Sequence, residues 1–388
     1  MKKRPHNQGL SVLVFSAVYF PGFKGGGPVK TIKNLFNQVG KEISFRLVTS
    51  DRDLGDKEPY TSVACGQWND IGNAAVFYAQ PGRGGYSQIM RIIKSKNYHI
   101  IYLNSFFSPR FSFFPLFLAR VLQQRVVLSP RGEFSKGALA IKPSKKKIFI
   151  VAYKILQLHR HVIFQASSQF EELDIRRVLG EKVDVRVAEN IAAQEFGDAA
   201  HERIVGNLRV IFVGRISPMK NLLMALESLR NVHAQMAFDI YGPLEDSNYW
   251  LQCQEVIETL PKHIQVSYKG FLDPLDVVKT MSGYDVFYLP TKGENYGHAI
   301  VEATCAGLPI IISDTTPWRN LQDCGIGWDL SLSAPEYFGA ALDELAAMPS
   351  KEYQEMRQRV LSWANEKFSQ RNAVEANIAL FKYAYEKQ

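Results

Sequence analysis

Short apolar runs bounded by turn residues alternate along this chain with helix-forming stretches, and they do so in two successive series. Such alternation predicts parallel strands joined by helical crossovers, the pattern of a doubly wound α/β sheet. In the first series strands are expected at 11–18, 45–49, 74–78, 100–103, 125–128 and 162–166. Helices are expected between them near 29–39, 87–93, 115–123, 145–158 and 169–179. A second series of strands follows at 208–213, 237–241, 265–268, 285–289 and 310–313. The composition breaks at Asn190-Ile-Ala-Ala-Gln-Glu-Phe-Gly-Asp198, which reads as a linker. A chain of 388 residues is long enough for two cores, so domains are expected at 1–190 and 191–370, with a final helix at 371–388. Ligands of such sheets bind beyond the carboxyl ends of the strands, and the chemistry should be sought there.

One such loop is Thr291-Lys-Gly-Glu-Asn-Tyr-Gly-His-Ala-Ile-Val-Glu-Ala303. An apolar run closed by Pro290 precedes it, and strong helix formers follow until Gly307-Leu-Pro309 stops them. A loop feeding a helix N-terminus presents backbone N–H groups and a favourable dipole to an anion. Gly293 and Gly297 allow a ligand close to the backbone. Glu294 lies in the loop, while Glu302 lies on a mostly apolar helix, where an unpaired carboxylate is costly. A second loop, after the run 208–213, carries Arg215 and Lys220. A guanidinium fork and an ammonium there suit a diphosphate.

The two glutamates with seven residues between them, Val210-Ile-Phe-Val-Gly-Arg-Ile-Ser-Pro-Met-Lys-Asn221, Ser129-Pro-Arg-Gly-Glu133 and the glycines 25–27 occur in family order. Together they make the chain resemble retaining glycosyltransferases of the GT-B type, family 4. The resemblance implies two Rossmann-like domains facing across a cleft, with the last helix crossing back to the first domain. It implies that Arg215 and Lys220 neutralise the leaving diphosphate, that Glu294 contacts the donor sugar, and that Glu302 takes the ribose hydroxyls. Asn295, Tyr296 and Gly297 would shape the phosphate loop. Asn295-Tyr296 stands where the commonest form has Gly-Phe or Gly-Tyr, which bears on sugar choice. In the first domain Gly25, Gly26 and Gly27 would face diphosphate and acceptor, Arg131 would touch phosphate or acceptor, and Glu133 would share that loop. Many members place a histidine after the fourth strand; this chain offers Tyr102 and Asn104, so no general-base histidine is assigned. Front-face displacement is implied, with the leaving phosphate taking the acceptor proton. No cofactor beyond the nucleotide-diphosphate sugar and no metal is expected.

Other features weigh less. Cys65, Cys253, Cys305 and Cys324 form no CxxC pair and read as reduced residues. Asp51-Arg-Asp53 imitates a metal motif but reads as a capped surface turn. His159 and His161, expected on a helix, are spaced i and i+2 and cannot share a metal. The amino-terminal Met1-Lys-Lys-Arg4 and the short run after it lack the shape of a secretory signal, so a cytosolic protein is expected. The net charge of +8 permits nucleic acid, anionic lipid or phosphorylated substrates and selects none. No aromatic-plus-basic motif supports nucleic acid. The Phe-rich stretch 106–117 and the lysines from Lys142 to Lys154 fit either a core with a solvated face or a patch against an anionic membrane surface. The expected acceptor is a glycan or lipid-linked glycan of surface polysaccharide, met on the inner face of the membrane. Rival readings are a nucleotide-sugar epimerase or hydrolase of the same fold, and a non-catalytic nucleotide-sugar-binding protein.

Overall fold

Apolar, β-branched and aromatic runs form the strands, and they assemble into two parallel sheets. The computed structural model describes residues 9–22, 24–192, 195–198, 202–273, 276–369 and 371–387. The chain divides into two units, Met1–Ile191 with Arg371–Gln388, and Ala192–Gln370.

The first unit runs β1 (Ser11–Phe15), α1 (Gly27–Val39), β2 (Ser44–Ser50), β3 (Trp68–Ile71), β4 (Ala74–Ala79), α2 (Gly82–Lys94) and β5 (Ile100–Asn104). It continues through α3 (Phe114–Val121), β6 (Arg125–Ser129), α4 (Lys136–Ala140), α5 (Pro143–Ile155), β7 (Val162–Ala166), α6 (Gln169–Leu179) and β8 (Asp184–Val187). The sheet order is β3-β4-β2-β1-β5-β6-β7-β8, parallel except for β3. Strands β5 and β7 are buried along their whole length, as both faces of a helix-covered sheet require.

The second unit runs β9 (Asn207–Val213), α7 (Leu222–Ser228), β10 (Gln235–Tyr241), α8 (Ser247–Ile257), β11 (Ile264–Gly270), α9 (Val277–Ser282) and β12 (Val286–Leu289). After these come α10 (His298–Cys305), β13 (Ile310–Ser313), β14 (Gly327–Leu330), α11 (Glu336–Ala347) and α12 (Ser350–Ser369). Its order is β11-β10-β9-β12-β13-β14, with every pairing parallel. The last helix, α13 (Asn372–Glu386), packs on the first unit: the Phe381 ring meets Tyr102 edge-on at 5.2 Å and Phe45 at 5.9 Å. Full burial of Phe381 stabilises that docking by about 1.5–3 kcal/mol.

Several expectations need correction. The run 11–18 ends as a strand at Phe15, because the chain turns there toward the glycine loop. The helix expected at 145–158 opens at Pro143, whose missing N–H costs nothing at N1, and closes at Ile155. His159 and His161 therefore lie in a separate tight turn, Leu158–His161, rather than on that helix. Strands β3, β8 and β14 were not expected. Trp68-Asn-Asp-Ile71 and Asp184-Val-Arg-Val187 are polar edge strands without an apolar run, and β14 opens with Gly327. Cys65, Cys253, Cys305 and Cys324 are free thiols.

Candidate active site

In the second unit β9 is flanked by β10 and β12, and the chain proceeds outward in both directions. The carboxyl ends of β9 and β12 thus flank a topological switch point, where open α/β sheets leave a crevice. From the end of β9 come Gly214, Arg215 and Lys220; from the end of β12 comes the loop Thr291–Gly297. The two loops are sewn together. The Lys292 amide donates to the Met219 carbonyl at 2.8 Å, Asn221 Nδ2 donates to the Pro290 carbonyl at 2.9 Å, and Thr291 Oγ1 donates to Met219 at 3.1 Å. The hydroxyls of Ser313, which ends β13, and of Thr315 just beyond it both donate to the Thr291 carbonyl, the latter at 2.8 Å.

Within this frame the Lys220 ammonium forms an ion pair with the Glu294 carboxylate. Their side chains are only 18% and 10% exposed, so the pair is held inside the loop junction. Arg215 points elsewhere and pairs with Glu245 at 2.9 Å, both about half exposed. Close approach of the loops after β9 and β10 demands glycine: Gly242 has φ +141°, and a Cβ there would lie 1.9 Å from the Gly214 carbonyl oxygen.

Gly297, in the left-handed conformation at φ +75°, turns the chain into α10, which has no side-chain cap. Its first turn therefore faces the loop with backbone donors and the positive dipole end. Trp318 Nε1 donates to the Tyr296 carbonyl at 2.6 Å, and the Tyr296 ring is buried against Trp318. Asn295 and Glu302 are half-buried. Burial, with the Glu302 charge nearby, pushes the Cys305 thiol up to about 12. Arg357, wholly buried, donates to the carbonyls of Tyr284 at 2.9 Å and Ala306 at 3.3 Å, tying the end of α10 to the start of β12.

The first unit has its own cluster at the carboxyl ends of β5, β6 and β7. Gly26 (φ +61°) caps α1, Gly27 opens it, and a Cβ on Gly25 would meet Val29 Cγ2 at 2.9 Å. Arg131 sits at φ +56° and donates through Nη2 to the Tyr102 hydroxyl and to Asn104 Oδ1, each at 2.7 Å, and through Nη1 to Asn190. Asn104 is thus 4% exposed and engaged by Arg131. Glu133 does not pair with Arg131. It accepts from Ser105 Oγ at 2.8 Å, from the Phe107 amide at 3.1 Å and from the Phe106 amide. Burial raises its carboxyl above the ordinary range, and those donors oppose the shift.

Asp51 and Asp53 are not a surface turn, being 2% and 5% exposed. Asp53 accepts from the Leu54 amide at 2.8 Å and from the Lys24 amide at 3.1 Å, anchoring the glycine loop. Among the described residues no group of three potential metal ligands occurs. Sequence reasoning missed Glu245, Glu171 and Arg357. Glu171 is 3% exposed and holds the Gly132 amide at 2.6 Å and the Ser167 amide at 2.7 Å. Nothing local distinguishes any of these from ordinary polar residues.

The Phe-rich stretch divides. Phe106 and Phe111 are core, and Phe106 packs against Phe134 and Tyr153, each at 4.6 Å. Phe117, Val121, Ile148, Val151, Ile155 and Leu156 are exposed on α3, α5 and the turn after it, Ile155 by 74%. Lys142, Lys145, Lys147 and Lys154 are exposed beside them. Lys146 departs from that face: its ammonium donates to the Ala138 carbonyl at 2.6 Å.

Residues 194–360 match the family described as glycosyl transferases group 1. Phosphatidyl-myo-inositol mannosyltransferase of Mycobacterium tuberculosis is 28% identical over 189 residues, which are 47% of this chain and 48% of that protein. The match thus spans about half the length of that relative. Among solved structures, Anabaena HepE in complex with UDP and glucose superposes with a TM-score of 0.67 at 15% identity, covering 96% of this chain and 98% of that one. WaaG, a glycosyltransferase involved in lipopolysaccharide biosynthesis, does so with a TM-score of 0.66 at 13% identity, covering 95% and 99%.

Proposed function

We propose, for a chain whose residues 194–360 match the group 1 glycosyl transferases and whose two units have the GT-B fold, transfer of a sugar from a nucleoside diphosphate to a hydroxyl acceptor with retention. One observation carries this reading: Lys220, Glu294 and the Gly297-initiated helix converge at the β9/β12 switch point. The helix N-terminus and Lys220 offer positive charge to a diphosphate as the sugar–phosphate bond breaks, which lowers the barrier by electrostatic stabilisation. Glu294, fixed by that lysine, is placed to orient sugar hydroxyls. Glu302 is the candidate for the ribose. Arg215 exchanges its exposed partner Glu245 for phosphate at little cost, since such surface pairs are worth at most about 1 kcal/mol. No side chain here acts as covalent nucleophile in this scheme. The leaving phosphate takes the acceptor proton, and the protein supplies positioning and charge.

The acceptor in this reading is a lipid-linked glycan, presented at the inner face of a membrane. The exposed apolar residues of α3 and α5 beside four exposed lysines support it, because such a face binds anionic bilayers. Relatives named for phosphatidyl-myo-inositol and for lipopolysaccharide point the same way. Among the described residues no helix is long and apolar enough to cross a membrane, so the contact would be peripheral.

The test is product analysis with a panel of nucleotide sugars and lipid extract, for wild type and Arg215→Ala. Wild type should give a product of retained anomeric configuration and keep activity in EDTA. Arg215→Ala should lower turnover by about a hundredfold, as loss of one charge-stabilising donor does. An inverted product, or a variant of normal turnover, overturns the reading.

A further inference from the structure

A cavity of about 750 Å³ opens in the first unit at the end of its sheet opposite the residues described above. Its walls come from the residues just before three strands: Tyr98 and His99 before β5, Gln123 and Gln124 before β6, Arg160 and His161 before β7. The carboxyl ends of the same strands lead to Asn104, Arg131 and Ser167, so the cavity is separated from that cluster by the length of the strands. Arg120, from the last turn of α3, and Arg125, the first residue of β6, complete its charged lining.

Among the described residues, the arginines of this lining, Arg120, Arg125 and Arg160, lack acidic partners, whereas Lys387 at the rim is paired with Asp184. The helix ends of α3 and α13 contribute a partial negative charge of about half a unit each, which accounts for one guanidinium and leaves an excess. Desolvation first, and then the charges of Arg120 and Arg160, lower the His161 imidazole below its ordinary value. Arg120, Arg125 and Arg160 all line this space, the Arg125 guanidinium resting over the Tyr385 ring at 5.2 Å, and guanidinium donors match the multiple acceptor oxygens of a phosphate group. The volume lies within the range of small-molecule sites.

We propose that this cavity binds the phosphate headgroup of an anionic phospholipid. Two features set the lipid above a free phosphate. Arg120 is followed by exposed Val121 and preceded one turn earlier by exposed Phe117. Arg160 and His161 follow exposed Ile155 and Leu156. The segments that bring the cations therefore carry apolar surface beside them, suited to the acyl region next to a headgroup. The choice of a lipid rests on the peripheral-membrane reading; the phosphate site itself does not. Unlike the lysine face, which attracts a bilayer by diffuse charge, this site holds a single headgroup.

Calorimetric titration with dihexanoyl phosphatidic acid, kept below its micelle concentration, tests the site on the full chain. Wild type should bind it about tenfold more tightly than inorganic phosphate or dihexanoyl phosphatidylcholine, and Arg120→Ser with Arg160→Ser should weaken it by about tenfold. Equal affinity for inorganic phosphate overturns the lipid assignment. Absence of binding, or binding unaltered in the double variant, overturns the site. Should the double variant fail to fold, the His161 ring resonance of wild type must shift with phosphatidic acid and not with phosphatidylcholine; no shift overturns the site. The double variant should keep UDP binding, and Arg215→Ala should keep phosphatidic acid binding, so failure here is separable from failure of the transferase reading.

Discussion

Lys220 and Glu294 show how one contact serves both fold and chemistry. Two charged groups so little exposed are tolerated because each is the other's counter-charge within a hydrogen-bonded loop junction. Removing the lysine leaves a carboxylate without its partner. Lys220→Ala should therefore cost about 3 kcal/mol of stability as well as turnover, whereas Lys220→Ala with Glu294→Ala should recover much of the stability but none of the turnover. Denaturant melts alongside activity check this; equal stability losses in the two variants would mean that the pair is not coupled. Arg215 provides the contrast. Its half-exposed pair with Glu245 predicts a variant with unaltered melting and lost activity.

At the scale of elements, the turn Leu158–His161 between α5 and β7 is the feature whose consequences depend on pH. Burial, followed by the charges of Arg160 and Lys154, lowers the His159 imidazole, and burial with Arg120 and Arg160 lowers that of His161. The unfolded chain therefore binds more protons than the folded one as pH falls through the ordinary histidine value of about 6.5, and folding stability declines there. The stability is present above that value and is lost as pH falls toward the lowered folded values. Carboxylates, among them Glu133 with its raised value, also titrate on acidification, so the readout is the difference between wild type and His159→Gln with His161→Gln. Melting temperatures followed through that pH range should converge or cross on acidification, with wild type losing more. Parallel profiles would remove the histidines from the account.

At the scale of the whole molecule, the net charge of +8 takes on meaning only from where the cations lie. Lys142, Lys145, Lys147 and Lys154 are exposed beside the apolar residues of α3 and α5, while Lys146 is turned inward to Ala138. Anionic lipid attracts each nearby cation by roughly 1 kcal/mol. Wild type should co-sediment with phosphatidylserine-containing vesicles, less so as salt rises, and Lys142→Ser with Lys145→Ser and Lys147→Ser should release most of it. Lys146→Ser alone should instead lower thermal stability with a smaller effect on sedimentation. Binding to neutral vesicles that equals binding to anionic ones would contradict an electrostatic attachment.

The sequence by itself determined the doubly wound architecture and the loops that carry the candidate site. Alternating apolar runs and helical stretches are local signals, and the carboxyl ends of parallel strands are where such sheets place ligands. Arg215, Lys220, Glu294 and Gly297 were legible because they sit in those loops, in order, beside a helix start. Tertiary structure decided what has no local signal. The polar edge strands β3 and β8 exist because a neighbouring strand offers them hydrogen bonds, and their own residues announce little. Glu245, Thr291 and Arg357 take their roles from partners distant in sequence, as does the burial of Asp51 and Asp53. The cationic cavity arises partly the same way: Arg120 and Arg125 flank the short link from α3 to β6, and Arg160 joins them only when β6 pairs with β7. Propensity and periodicity act over a few residues, whereas the assembly of a site depends on which strands become neighbours in the sheet.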